Sequence, residues 1–131
     1  MKTIILIFSL FIMGCSNDHT PNEEPNIPQE LIGKWKIIEV YETDGGSEPQ
    51  WRDEDTGAIY DYWFKSDGTF LQSDGIYNGT YTIDTSMKLT FTINSPNTVS
   101  IEQLTSTQLI IDFLNFEPYK HKYIKVSSES E

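Results

Sequence analysis

From Leu31 onward, apolar and polar residues alternate with a period of two. Leu89, Phe91 and Ile93 are interleaved with Lys88, Thr90 and Thr92; Leu109, Ile111 and Phe113 with Gln108, Ile110 and Asp112; Tyr81 and Ile83 with Thr80 and Thr82. Such alternation sends one set of side chains to each face of a half-buried strand. No window of useful length carries a helical period. Turn sequences stand between the runs: Ser66-Asp67-Gly68, Ser73-Asp74-Gly75, Asp84-Thr85-Ser86, Asn94-Ser95-Pro96-Asn97 and Thr105-Ser106-Thr107. The pattern predicts strands near 34–42, 59–65, 69–72, 76–84, 87–94, 97–104, 108–114 and 118–126. Eight consecutive antiparallel strands leave exposed edges unless the meander closes, and eight is the size at which a barrel is either filled by side chains or holds one small ligand. The expected fold is all-β, an antiparallel up-and-down meander closing into a small eight-stranded barrel.

The chain before this meander follows different rules. Lys2 precedes the apolar run Ile4 to Phe8 and then Leu10 to Met13, a stretch too short for a permanent bilayer span and organised like a targeting segment. It ends in Ile12-Met13-Gly14-Cys15, which resembles the lipobox of bacterial lipoproteins. That resemblance implies cleavage before Cys15 and a diacylglycerol on its thiol; the alternative is an ordinary secretory signal followed by a chance cysteine. Residues 16–29 hold three prolines, three acids and one apolar side chain, Ile27, and read as a tether. As flexible coil such a segment reaches roughly 20 Å, and about 40 Å if its prolines stiffen it. The expected organisation is a signal at 1–14, a lipidated Cys15 and acidic, proline-containing tether at 15–30, and a barrel at 31–131. Ser16 rather than Asp after the cysteine implies, by the same resemblance, an outer-membrane location.

Charge and composition narrow the function. The chain carries a formal net charge of -11, with 9 basic and 20 acidic side chains. A basic patch able to neutralise phosphates would have to be drawn from few cations, which disfavours nucleic acid and anionic lipid as partners. Membrane attachment therefore falls to the acyl chains on Cys15, of which two or more hold stably. Cys15 is the sole cysteine, and His19 and His121 are the only histidines, so neither a disulfide nor a Cys/His zinc site can form. No nucleophile elbow, zinc-protease helix motif, phosphate-cradling loop or dinucleotide fingerprint is present. We expect no catalytic residue, no metal and no cofactor.

Gly33-Lys34-Trp35 opens the first strand and is similar to the G-x-W opening of lipocalins. The later runs Phe64 to Phe70, Gly79 to Ile83 and Ile101 to Thr105 resemble the short lipocalin-like lipoproteins of Bacteroidetes over about residues 31 to 126. The resemblance implies a lipocalin-like barrel. The chain departs from full lipocalins in lacking a Thr-Asp-Tyr element, in having Arg52 as its only arginine, and in having five residues after Val126 rather than a helix.

Several side chains stand out as candidates. Gly33 permits close approach and Trp35 is large enough to plug the closed end. If Trp35 points inward, strict alternation also sends Ile37, Glu39 and Tyr41 inward and Ile38 and Val40 outward. Either a bulge after Ile37 reverses the phase, the reading we favour, or Glu39 is an interior group needing a partner. Tyr60, Tyr62 and Phe64 share one face, expected inside, opposite Ile59, Asp61 and Trp63; Trp63 is then either neighbouring surface or part of a partner-binding patch. Tyr119, His121 and Tyr123 share a face of the last strand, so His121 is either a structural histidine or a hydrogen-bonding group for a ligand. Thr43 to Ala58 is too long for a hairpin turn and is expected to be an irregular segment; the lipocalin-like resemblance implies that it is the lid at the open end, which places Trp51 and Arg52 above the mouth. Its acids Asp53, Glu54 and Asp55 read as a solvated loop, their spacing not matching a calcium-binding hand.

Two functions fit. One is a binding module taking a small apolar or amphipathic molecule in or at the mouth of the barrel, with Trp51, Arg52, Tyr60, Tyr62 and His121 as candidate contacts. The other is a non-catalytic surface or periplasmic interaction module whose filled barrel is a scaffold. Nine aromatic residues assigned to the interior (Trp35, Tyr60, Tyr62, Phe64, Phe70, Tyr81, Phe91, Phe113 and Tyr123) could fill much of a small barrel.

Overall fold

The computed structural model describes residues 26–131. The signal segment, Cys15, His19 and the first part of the tether lie outside the described residues. Nine strands and no helix occur among those described: β1 (Gly33–Glu42), β2 (Gln50–Asp53), β3 (Tyr62–Phe64), β4 (Thr69–Gln72), β5 (Tyr77–Ile83), β6 (Lys88–Thr92), β7 (Pro96–Leu104), β8 (Gln108–Asp112) and β9 (Lys120–Ser127). All pairings are antiparallel. They run β1-β3-β4-β5-β6-β7-β8-β9, β9 pairs back with β1, and β2 adds to the far half of β1. The result is a closed eight-stranded barrel carrying one extra strand. Closure removes the edges that an open meander would expose.

Trp35 lies at the centre of the closed half and is completely buried. Its indole N–H donates to the Leu31 carbonyl at 2.8 Å, so the polar edge of the plug is satisfied within a turn made by Leu31 N–H to Pro28 O and Ile32 N–H to Gln29 O. Ile27 also packs against the core cluster. Gly33 has a φ of 131°, and a Cβ there would collide with the Ser127 carbonyl oxygen. The glycine lets β9 end against the start of β1. Above the plug, Tyr62, Phe64, Phe70, Tyr81 and Phe91 form one aromatic cluster, with Tyr62 stacked on Phe91 at 5.3 Å and Phe64 edge-on to Tyr81 at 5.0 Å.

The register of β1 against β9 shifts between Ile37 and Glu39. This bulge reverses the alternation: Trp35, Ile37 and Val40 are buried, while Glu39 pairs outside with Lys122. Other expectations need correction. The segment Thr43 to Ala58 is a hairpin rather than an irregular lid, because Gln50–Asp53 pairs with Glu39–Glu42. The strand expected at 59–65 shortens to Tyr62–Phe64. Its first residues are drawn off by the β4–β5 turn: the Asp74 carboxylate accepts the N–H groups of Ile59 and Tyr60 at 3.1 and 3.0 Å. Tyr60 consequently lies outside the barrel, edge-on to Trp63 at 6.0 Å, and Asp61 is buried instead.

Candidate functional site

Partner exchange along β1 builds the site. On one edge, Gly33–Trp35 pairs with β3 and Glu39–Glu42 pairs with β2. In the gap between, the Ile38 carbonyl accepts from Glu54 N–H at 2.9 Å. The Ile37 N–H finds no strand and donates to Asp61 Oδ2 at 2.7 Å. Asp61 Oδ1 accepts from the Thr56 hydroxyl at 2.7 Å. With 8% of its surface exposed, Asp61 is the one buried charged residue among those described.

Asp61 borders a cavity of about 160 Å³ that is also lined by Ile37, Thr56, Tyr62, Gln72, Ser73, His121 and Tyr123. His121 enters it from β9, two residues from the buried Tyr123. Its Nδ1 lies 2.9 Å from the Tyr123 hydroxyl. Its Nε2 is buried and has no hydrogen-bond partner. Phe113 and Tyr119 pack on the imidazole with ring centres 4.5 and 4.8 Å away. This burial holds the His121 pKa down to about 4, against the opposing pull of the Asp61 charge. The imidazole is therefore neutral at pH 7. Burial, reinforced by the Asp61 charge, pushes Tyr62 up to about 12, and burial likewise raises Tyr123.

A second cavity of about 280 Å³ adjoins the first, sharing Tyr62 and Gln72, and is lined by Phe70, Phe91, Ile93, Ser95, Asn97 and Phe113. Together they form a two-part hollow at the open end: one side carries a carboxylate, an imidazole and an amide, the other is aromatic. The rings that fill the closed half form its floor.

Of the residues singled out in the sequence, Tyr62 and His121 line this hollow. Trp51 does not stand over the mouth. It pairs with Tyr41 across β1 and β2, packs on that ring at 5.2 Å and lies 4.3 Å from Lys122 Nζ, on the outer face of the wall. Arg52 is exposed and ion-paired with Asp44 at 3.3 Å. Tyr60 sits outside beside Trp63, with Lys34 Nζ 5.5 Å from its ring. Trp63 is held between Lys34 and Lys65, with ammonium-to-ring distances of 4.1 and 4.5 Å, and donates to the Glu129 carbonyl of the C-terminal segment. Asp55 pairs with Lys36 at 3.2 Å. Sequence reasoning missed Asp61 and Gln72. The available signal for Asp61 was a lone acid inside an aromatic run, Tyr60-Asp61-Tyr62-Trp63.

The closed barrel with a G-x-W plug and a hollow at one end agrees with the comparisons to known proteins. Residues 31–111, more than half of the chain, match the lipocalin-like domain family. The chain belongs to the lipocalin-like family. Among solved structures, a lipocalin-like protein from Bacteroides uniformis is similar to it with a TM-score of 0.52 and 19% identity, over 73% of this chain and 98% of that one. At that identity the likeness speaks for the shared fold. No curated protein matches the chain. The β1–β2 hairpin stands outside the closed circuit of the barrel, and the hollow is the barrel interior at its open end.

Proposed function

We propose that this lipocalin-like protein is a lipid-anchored, non-catalytic binding protein of the cell envelope that takes a small amphipathic molecule into the open end of its barrel. The carrying observation is His121 Nε2, a buried polar atom without a partner on the wall of a cavity. An unmade hydrogen bond at a buried group costs about 1–3 kcal/mol, a cost that a ligand supplying the missing partner would relieve. The adjoining aromatic cavity supplies apolar contact for the rest of such a molecule. His121 and Tyr62, with Asp61 and Gln72, are the proposed contacts; Trp51, Arg52 and Tyr60 lie away from this hollow.

A panel of fatty acids, sterols and haem-like molecules titrated against intrinsic tryptophan fluorescence tests the reading, with His121→Phe as the control. At least one member is expected to bind tighter than ~100 μM, and loss of the imidazole to weaken it by about tenfold, or 1.4 kcal/mol. If nothing binds, the filled-barrel scaffold becomes the better account.

Anchoring rests on Ile12-Met13-Gly14-Cys15, and the proposed organisation is a signal at 1–14, a lipidated tether at 15–30 and the barrel domain at 31–131, held at the outer membrane. Metabolic labelling with a fatty acid should mark the wild-type protein and leave Cys15→Ala unlabelled. An unlabelled wild type would remove the anchor from the proposal.

A further inference from the structure

We infer that the hollow selects a ligand whose polar end donates a hydrogen bond, an alcohol or a protonated amine, and discriminates against carboxylates. This rests on the binding reading above and specifies its chemistry. The polar cavity carries the Asp61 carboxylate and no lysine or arginine. Its remaining polar groups are hydroxyls, the Gln72 amide and His121. Nothing on that wall neutralises an incoming anion.

The two oxygens of Asp61 accept from Ile37 N–H and from the Thr56 hydroxyl. A carboxylate offers about four lone-pair sites, so each oxygen retains capacity for one further donor. A second carboxylate brought into the same hollow would face Asp61 across a medium that screens poorly, whereas a hydroxyl or ammonium would meet an acceptor.

His121 points the same way. Burial keeps the imidazole neutral at pH 7, so the unliganded site offers no cation to an anionic head. Its Nδ1 contact with Tyr123 is compatible with either tautomer, leaving Nε2 as a donor or an acceptor. A hydroxyl both donates and accepts and suits either state. An ammonium suits the acceptor state and is drawn by Asp61. The polar end then lies among Asp61, Gln72 and His121, and the apolar end occupies the adjoining cavity between Phe70, Phe91 and Phe113.

The test uses three probes with one tail: 4-phenylbutanol, 4-phenylbutylamine and 4-phenylbutanoate. Each is titrated calorimetrically at pH 7 into the full chain held in phospholipid nanodiscs, with empty nanodiscs to subtract partitioning. The alcohol or the amine should bind at least about tenfold tighter than the carboxylate, the two arms deciding which head group is preferred. Asp61→Asn should narrow that gap by improving the carboxylate. The wild-type ratio decides by itself, so the inference stands or falls even if this variant folds poorly. A carboxylate that binds as tightly as both other probes overturns the head-group inference and leaves the binding reading intact. If none of the three binds while a member of the fatty acid, sterol and haem-like panel does, this inference falls and the binding reading stands; if nothing in either set binds, both fall.

Discussion

The Asp61 carboxylate accepts the backbone N–H of Ile37 at 2.7 Å, at the point where β1 leaves β3 and has not yet met β2. A side chain here does the work of a strand. The bulge opposite, between Ile37 and Glu39 on the β9 edge, turns Val40 inward and puts Glu39 beside Lys122. The same few residues thus complete the ladder and place a carboxylate inside the barrel.

Asp61→Ala should therefore destabilise the fold by about 2–3 kcal/mol, since it leaves the Ile37 N–H and the Thr56 hydroxyl without their charged acceptor. Asp61→Asn keeps an oxygen and should cost less. Urea unfolding of the two variants checks the order; equal losses would mean that the acceptor is not what matters.

The closed end makes a separate prediction. Trp35→Ala removes a completely buried ring and should cost about 3–5 kcal/mol. Gly33→Ala forces a Cβ against the Ser127 carbonyl at a positive φ and should cost roughly 2–3 kcal/mol. Thermal unfolding measures both, and a loss below about 1 kcal/mol for Trp35→Ala would exclude it as the plug.

Stability should also depend on pH through His121. Its pKa falls from 6.5 to about 4 on burial, so between those values the unfolded chain takes up a proton that the folded barrel excludes. The contribution is whole above pH 6.5 and is lost as the pH falls through the folded value. Asp61 faces the imidazole and favours the proton; Tyr62, Tyr119 and Tyr123 are neutral throughout this range. His121→Phe should flatten the dependence of the urea midpoint between pH 6.5 and 4, and an unchanged slope would place its source elsewhere.

On the outer wall, Trp51 packs on Tyr41 and beneath Lys122. Trp51→Ala should cost about 1 kcal/mol or less, as a partly exposed aromatic and cation–π contact on an added strand. It should leave affinity for any ligand of the hollow unchanged. A loss of binding in this variant would return the β1–β2 hairpin to the site.

Period two, turn chemistry and the Gly-x-Trp opening determined the barrel by themselves, because strand alternation and tight turns are written in neighbouring residues. The bulge in β1 was also legible, since strict alternation would have buried Glu39 and exposed Val40. His121 could be assigned to a face shared with Tyr123 for the same reason. Three features were decided only in three dimensions. Gln50–Asp53 lacks a strand's apolar pattern and became β2 through backbone pairing with β1. Tyr60 was excluded from the interior by hydrogen bonds from its backbone and that of Ile59 to Asp74, a partner fourteen residues away. Asp61 entered the core because the gap between β2 and β3 left the Ile37 N–H without an acceptor, a vacancy created by partner exchange that no local sequence pattern records.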